Sequence, residues 1–173
     1  MYDLFVLGQL MDESMTGYLM RQILQQIVGR QRKISFGMIY PLFKRLSDAG
    51  YITLKLTKDS GHNQKVATIT ESGRKRFLEL MQQAVPLNPN VEFTYSVKFR
   101  NFHQVSIDIQ LEILHDYQNY LIANQKLLKQ QELDLAQTKI LPADLDNARW
   151  VISLEKVKTK AALSWVDQAL KKY

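Results

Sequence analysis

The feature that most constrains the fold of this chain is a pair of segments in which apolar and polar residues alternate. Stretches with the residue spacing of helices lie on both sides of this pair. Apolar and polar residues alternate over residues 52–57 and again over residues 65–70, which is the spacing of β-strands. The residues between the two segments are polar and include Gly61, which indicates a turn. The sequence therefore predicts one β-hairpin, and the rest of the chain carries the three- to four-residue spacing of helices.

Three helices are predicted before the hairpin. The first covers residues 3–11, and the second begins after Thr16, whose hydroxyl can accept a hydrogen bond from a free amide of the first turn. The third begins at Ser35 and ends near Gly50. Pro41 lacks an amide hydrogen, so we expect the third helix to begin later than Ser35 or to open with a distorted turn. The predicted apolar stripe of the second helix is Leu19, Ile23 and Ile27, with Met20 and Leu24 beside it. The predicted inner face of the third helix is Ile39, Leu42, Leu46 and Ala49.

After the hairpin the chain is predicted to be entirely helical. Thr70 should cap a fourth helix that ends near Val85, where the sequence Pro-Leu-Asn-Pro breaks the chain. Two long helices follow, at about residues 104–137 and 143–171. The content of only 7 Gly and 4 Pro favours helix over a loop-rich β fold. We predict that the chain consists of a first domain at 1–85, a connecting segment at 86–103 and a helical domain at 104–173.

The net charge of +6 is concentrated in the first half of the chain. Up to Val85 there are 12 basic and 7 acidic residues, whereas the remainder has 11 and 10. Five basic residues and no acidic one lie between positions 30 and 45, namely Arg30, Arg32, Lys33, Lys44 and Arg45. A basic strip of this kind predicts a polyanionic partner.

The sequence does not predict an enzyme. It contains no cysteine, no Gly-rich phosphate loop and neither the G-x-S-x-G nor the H-E-x-x-H motif. The spacing of His103, Asp108 and Glu112 fits no strong metal-binding pattern, so we expect no metal and no cofactor. No segment is apolar enough to span a membrane, and the first residues lack the features of a signal peptide. A cytoplasmic protein is the expectation.

The order helix, helix, helix, hairpin, helix is that of a winged helix-turn-helix domain. In such domains the second helix of the pair, here the third helix of the chain, enters the major groove of DNA. The fold class is therefore predicted as mainly α with a small β-hairpin wing, followed by an antiparallel helical domain. The predicted DNA-binding residues, on or near the third helix and the wing, are Lys33, Ser35, Tyr40, Lys44, Lys58, His62, Asn63 and Lys65.

The first half also resembles the PadR family of bacterial transcriptional regulators. The residues that carry the resemblance are Leu7-Gly8-Gln9-Leu10, Thr16-Gly17-Tyr18, Ile39-Tyr40-Pro41-Leu42, Lys44-Arg45-Leu46, Gly50-Tyr51-Ile52, Ile69-Thr70 and Gly73-Arg74. The second half resembles the long, virulence-activator-like helical domain found in one subgroup of the family. That likeness rests on Val91-Glu92-Phe93 after a proline break and on Trp165 in the final helix.

The resemblance implies a homodimer that binds a palindromic operator in double-stranded DNA. It also implies repression that ends when a small molecule binds. The second wing strand departs from the family pattern, because Gln64-Lys65-Val66-Ala67 stands where relatives carry one more basic and one aromatic residue.

The final helix is predicted to form the dimer. Its apolar stripe of Trp150, Leu154, Val157, Ala161 and Trp165 is broader than one neighbouring helix can cover, and a symmetric partner is the commonest way to bury such a surface. Aromatic residues of the second half are candidates for a small aromatic effector, with Phe93 and Trp150 chosen first.

Two other functions remain open from the sequence. The long helices suit a protein–protein adaptor that binds no nucleic acid, although the basic strip argues against it. An RNA-binding winged-helix protein would use the same module. Salt-dependent binding of duplex DNA would distinguish a DNA-binding protein from the adaptor. Competition between RNA and DNA would distinguish it from the RNA-binding protein.

Overall fold

The chain folds into two compact units, Met1–Ser106 and Ile107–Tyr173. The computed structural model describes residues 1–29, 33–59, 62–138 and 141–173, and at residues 58, 59, 62 and 63 it describes the backbone only. No helix in these ranges is long and apolar enough to cross a membrane.

In its described part the first unit contains five α-helices, a short 3-10 helix at Phe102–Gln104 and a three-stranded sheet. In chain order the α-helices and strands are α1 (Tyr2–Asp12), β1 (Met15–Thr16), α2 (Gly17–Val28), α3 (Phe36–Asp48), β2 (Ile52–Asp59), β3 (His62–Ile69), α4 (Glu71–Gln82) and α5 (Val91–Arg100). The predicted hairpin is confirmed, with β2 and β3 antiparallel and Ile52 opposite Ile69. The sequence did not predict β1, which adds a third antiparallel strand because Met15 pairs with Ala67.

Capping residues begin two of the helices as predicted. The Leu19 amide donates to Thr16 Oγ1 at 3.2 Å, and the Gly73 amide donates to Thr70 Oγ1 at 3.1 Å. Ser35 occupies the N-cap position of α3, but its side chain makes no capping hydrogen bond among the described residues. The Met38 amide instead donates to the Ser35 carbonyl at 3.2 Å, three residues back. The tight first turn agrees with the expectation of a distorted start.

The buried face of α2 is centred beside the predicted stripe, whereas that of α3 agrees with the prediction except at Ala49. On α2 the fully buried residues are Met20 and Leu24, while Leu19 is exposed. On α3 the core contains Phe43 in addition to the predicted Ile39, Leu42 and Leu46, and Ala49 is exposed.

The segment predicted as a connector belongs to the first compact unit. Helix α5 places Tyr95 and Val97 in the core of that unit. The side chain of Asn101 is buried against Gly8 of α1, where a Cβ atom would overlap with it, and it donates to the Val97 carbonyl at 2.7 Å. The division of the chain therefore lies at Ser106 rather than at residue 85 or 103, because α5 and Asn101 contact α1.

The second unit is a hairpin of two long antiparallel helices, α6 (Ile107–Gln137) and α7 (Pro142–Leu170). Leu121 and Leu128 of α6 and Val166 of α7 are buried in this unit. Two hydrogen bonds give the register, from Gln118 Nε2 to Asp167 Oδ1 at 2.7 Å and from Asn124 Nδ2 to Thr159 Oγ1 at 3.1 Å.

Candidate nucleic-acid interface

Helix α3 turns one face to the core and presents the opposite face to solvent. Ile39, Phe43 and Leu46 point inward and are almost completely buried. Phe36, Tyr40 and Lys44 follow one another at four-residue intervals, the spacing that aligns side chains along one side of a helix. All three are exposed, so the outward face of α3 carries two aromatic rings and one lysine.

A groove of about 760 Å³ separates this face of α3 from the wing. Tyr40, Lys44 and the acidic Asp48 line it on the helix side, and Leu54, Leu56 and Lys65 line it on the strand side. Leu56 is 70% exposed, so the wing strand carries an apolar side chain into open solvent at this point. The groove combines cationic and hydroxyl donors at its edges with an apolar floor, which suits contact with a sugar–phosphate backbone.

Both basic residues in the middle of α3 have acidic partners. Lys44 pairs with Asp48 at 2.7 Å, and both side chains are largely exposed. Arg45 forms a two-pronged pair with Asp3 of α1, with its Nη1 donating to Asp3 Oδ2 at 2.8 Å. The hydrogen bonds from Arg45 lower the pKa of the Asp3 carboxyl against the opposing effect of burial. Asp48 stands three residues after Arg45 but pairs with Lys44, because Arg45 turns toward α1.

A row of aromatic rings crosses from α2 to α3 on the same side. The ring centroids of Tyr18 and Phe36 are 6.1 Å apart, and those of Phe36 and Tyr40 are 6.0 Å apart, with nearly parallel planes in both pairs. The guanidinium of Arg21 lies 4.7 Å from the centroid of Phe36, within the range of a cation–π contact. Tyr18 is both stacked on Phe36 and 51% exposed.

The structure brings together three of the predicted DNA-binding residues. Tyr40, Lys44 and Lys65 line the groove, and Lys33 and Ser35 are exposed just before the first turn of α3. The side chains of the other predicted wing residues, Lys58, His62 and Asn63, lie outside the described part of the chain, as do Arg30 and Arg32.

Sequence reasoning missed Phe36, Leu54 and Leu56 as members of this surface. For Phe36 the signal was present, because it stands four residues before Tyr40 and eight before Lys44. For Leu56 no such signal exists, since a leucine in an alternating strand normally faces the core. It becomes exposed here because the wing extends beyond the helices that cover Ile52 at the base of the same strand.

The histidine once considered for a metal site has other partners. His103 Nε2 lies 3.0 Å from Asp12 Oδ1, and Gln104 also bonds to Asp12. Asp108 and Glu112 stand on α6 instead. Among the described residues, no group of three or more His, Cys, Asp or Glu side chains is arranged to hold a metal ion.

The two residues chosen first for an effector belong to different compact units. Phe93 is half-buried in the first unit, with its ring centroid 6.3 Å from that of Tyr2. Trp150 belongs to the second unit and is 76% exposed. The contact of either residue with an effector stays a prediction.

The predicted dimerisation stripe lies on the side of α7 that faces away from α6. Thr159 and Val166 mark the side buried against α6. Trp150, Leu154, Val157 and Ala161 occupy the opposite side, and Trp165 lies at the edge of the stripe, with its ring centroid 6.4 Å from that of Tyr117 on α6. All five residues are exposed in the protomer. Helix α7 is thus apolar on two sides, of which the hairpin itself covers one.

The helix pair α2–α3, the three-stranded sheet and helix α4 define the first unit as a winged helix-turn-helix domain. In this class of fold the second helix of the pair is the one that reads a DNA groove. Residues 6–79 match the transcriptional regulator PadR-like family. Over this region the chain is similar to that family, which is the one that the sequence motifs indicate.

Proteins from Bacillus subtilis and Streptococcus mutans resemble this chain and share between 19% and 26% of its residues over the aligned regions. The chain is 26% identical over 94 residues to the negative transcriptional regulator PadR of Bacillus subtilis strain 168, a match over 54% of this chain. It spans about half of that relative, 52% of its length. A crystal structure of Bacillus subtilis PadR in complex with operator DNA is 19% identical, with coverage of 99% and 97% of the two chains and a TM-score of 0.46. A Streptococcus mutans UA159 structure is 20% identical, with 98% coverage of both chains and a TM-score of 0.44.

Proposed function

We propose that this protein is a homodimeric transcriptional regulator that binds a palindromic operator in double-stranded DNA. The observation that carries the proposal is the groove between α3 and the wing, where Tyr40, Lys44 and Lys65 converge from two separate elements. A phosphate backbone lying in this groove would meet two ammonium groups and a phenol. It would therefore be gripped from the helix and the wing together.

The start of α3 supplies the second part of the proposed contact. Its first amide groups are free of a side-chain cap among the described residues, and Lys33 and Ser35 are exposed beside them. Uncapped amides of a first helical turn and the positive end of the helix dipole favour a phosphate at this point. A helix held by phosphates at its start and along its side would present Phe36 and Tyr40 to the base edges.

Dimerisation is proposed through the exposed stripe on α7. A monomer would leave Trp150, Leu154 and Val157 in water, although together they form one continuous apolar surface on a single helix. Surfaces of this kind mark interfaces. A second copy covers the stripe with its own, and the two-fold symmetry matches that of a palindromic site.

The sign of regulation is proposed from the relative in Bacillus subtilis, which is named a negative regulator. We propose that this protein also represses, and that a small aromatic molecule releases it from DNA. Phe93 and Trp150 are the residues proposed to contact that molecule.

We expect Lys33→Ala and Lys44→Ala each to weaken binding to every duplex and to flatten its dependence on salt. A lysine that neutralises a phosphate releases one counterion, so the slope of log affinity against log salt should fall by about one unit for each contact removed. Gel shifts or fluorescence anisotropy over a series of salt concentrations measure the slope. Lys126→Ala, exposed on α6, is the matched control and should leave the slope unchanged. Unchanged slopes for both test variants would remove these lysines from the interface.

The same assay separates the two other functions. An adaptor that binds no nucleic acid would show no salt-dependent shift of any duplex. For an RNA-binding protein, unlabelled RNA would displace labelled duplex DNA at a lower concentration than unlabelled DNA needs for the same displacement.

We expect an aromatic effector to raise the melting temperature and to lower operator affinity at the same concentrations. Both effects follow when a ligand binds the DNA-incompetent state more tightly than the competent one. Screening small aromatic acids and phenols by thermal shift, then by anisotropy with labelled operator, tests this. A compound that stabilises the protein and leaves operator affinity unchanged would argue against release by that compound class.

A further inference from the structure

The first residue of α3 presents an aromatic ring where a recognition helix contacts bases. Phe36 is 40% exposed, although its side chain is wholly apolar. Single exposed apolar residues are common on protein surfaces and need no explanation. The position of Phe36 distinguishes it, because the N-terminal residues of a recognition helix are those that contact base edges in the major groove.

The ring of Phe36 is held in place before any DNA binds. Tyr18 and Tyr40 stack against it with centroids 6.1 Å and 6.0 Å away, and the Arg21 guanidinium lies 4.7 Å from its centroid. Arg21 is itself anchored, since its Nη1 donates to the Ile34 carbonyl at 3.3 Å. A ring held by such neighbours loses little further conformational entropy when it contacts a ligand. This favours a contact that distinguishes one base from another.

The other side chains of α3 leave few ways to read a base by hydrogen bonding. The helix contains neither Asn nor Gln, the residue types that pair with adenine. Its one arginine, which could read guanine, is paired with Asp3, and Lys44 is paired with Asp48. Gly37 next to Phe36 has no side chain, so the helix surface beside the ring is open to a close approach.

Thymine is the base that an apolar side chain recognises in the major groove, because its edge carries a methyl group. We propose that Phe36 reads the 5-methyl group of one thymine in each half of the operator. This rests on the proposed function and adds the base that the helix selects. Removing one buried methyl group changes affinity about three- to fivefold, so removing both should weaken binding about tenfold.

The test uses the duplex that the wild-type protein selects from a randomised DNA pool. A series of this duplex carries deoxyuridine in place of thymidine, one symmetric pair at a time, which removes the methyl group and keeps the base pair. We expect one pair to lower wild-type affinity about tenfold. Phe36→Ala should bind the thymidine and deoxyuridine forms of that pair equally, whereas Phe36→Leu should keep part of the preference. Lys44→Ala is the control and should weaken both forms by the same factor.

The outcomes distinguish this proposal from the one on which it rests. Tight binding of the selected duplex with no effect of any deoxyuridine pair would overturn the reading by Phe36 and leave DNA binding intact. A methyl preference that survives in folded Phe36→Ala would assign the contact to another residue. Failure to enrich any duplex would overturn the proposed function and this inference with it. The wild-type series needs no variant, so it decides the presence of a methyl contact even where Phe36→Ala does not fold.

Discussion

We expect Val157→Asp to convert the protein from a dimer into a monomer while its helical hairpin stays folded. Val157 is 64% exposed in the protomer and lies in the middle of the stripe on α7, away from α6. In the proposed dimer an aspartate at this position would be an unpaired charge in an apolar interface, which costs several kcal/mol. The dimer dissociation constant should therefore rise about a hundredfold or more.

Val157 is a better probe of this surface than Trp165. The Trp165 ring centroid lies 6.4 Å from that of Tyr117 on α6, so changing it would also disturb the hairpin. Sedimentation velocity at micromolar protein gives the oligomeric state, and far-UV circular dichroism reports whether the helices remain.

Asn119→Asp is the matched control for this experiment. Asn119 is exposed on α6 and lies outside the stripe on α7, so the variant adds the same charge and should stay dimeric. Operator affinity should fall only in Val157→Asp, because the two halves of the site are then bound by separate molecules. A Val157→Asp protein that remains a dimer would contradict the proposed interface.

The second large effect is expected from Gly73→Ala, which should destabilise the first unit by about 3 kcal/mol. Gly73 stands in the first turn of α4, where a Cβ atom would overlap with the carbonyl oxygen of Tyr51. That carbonyl accepts the Thr70 amide at 3.0 Å, so it cannot move without breaking the junction between the sheet and α4. The gain in helix propensity, about 1 kcal/mol, is too small to offset this strain.

Gly37→Ala is the control for the glycine substitution. Gly37 is exposed inside α3, and a Cβ atom there would meet only the Ser35 hydroxyl, at 3.6 Å. This variant should be as stable as the wild type or slightly more so. Urea unfolding followed by far-UV circular dichroism measures the stability of both variants. Tryptophan fluorescence would not serve, because Trp150 and Trp165 both lie in the second unit. Equal stability of the two variants would show that the junction at Gly73 can relax.

Some features of the fold could be predicted because their causes act within a few residues. Thr16 and Thr70 cap the helices that follow them through bonds to amides three residues on, and such bonds need no other part of the chain. The alternation in β2 and β3 is equally local. These signals were enough to predict the winged helix-turn-helix order and to place Tyr40 and Lys44 on the helix beside the wing.

Other features depended on which neighbour a residue meets. The spacing of apolar residues on α2 predicted a helix but not its orientation, and Leu19 is exposed because the core lies on the side of Met20 and Leu24. The proline break at residues 86–89 marked the end of a helix but not of a domain. Asn101 packs against Gly8, more than ninety residues earlier in the chain, and no local pattern reports such a contact.

The sequence by itself determined the order of helices and strands, the helix caps and the basic character of the first half, because short-range hydrogen bonding and composition suffice for these. Only the tertiary structure decided the partners of the charges and the aromatic rings. Arg45 pairs with Asp3 across 42 positions, and Phe36 stacks on Tyr18 from another helix. These contacts arise when α1, α2 and α3 bury their apolar faces together, which brings distant side chains within reach of one another.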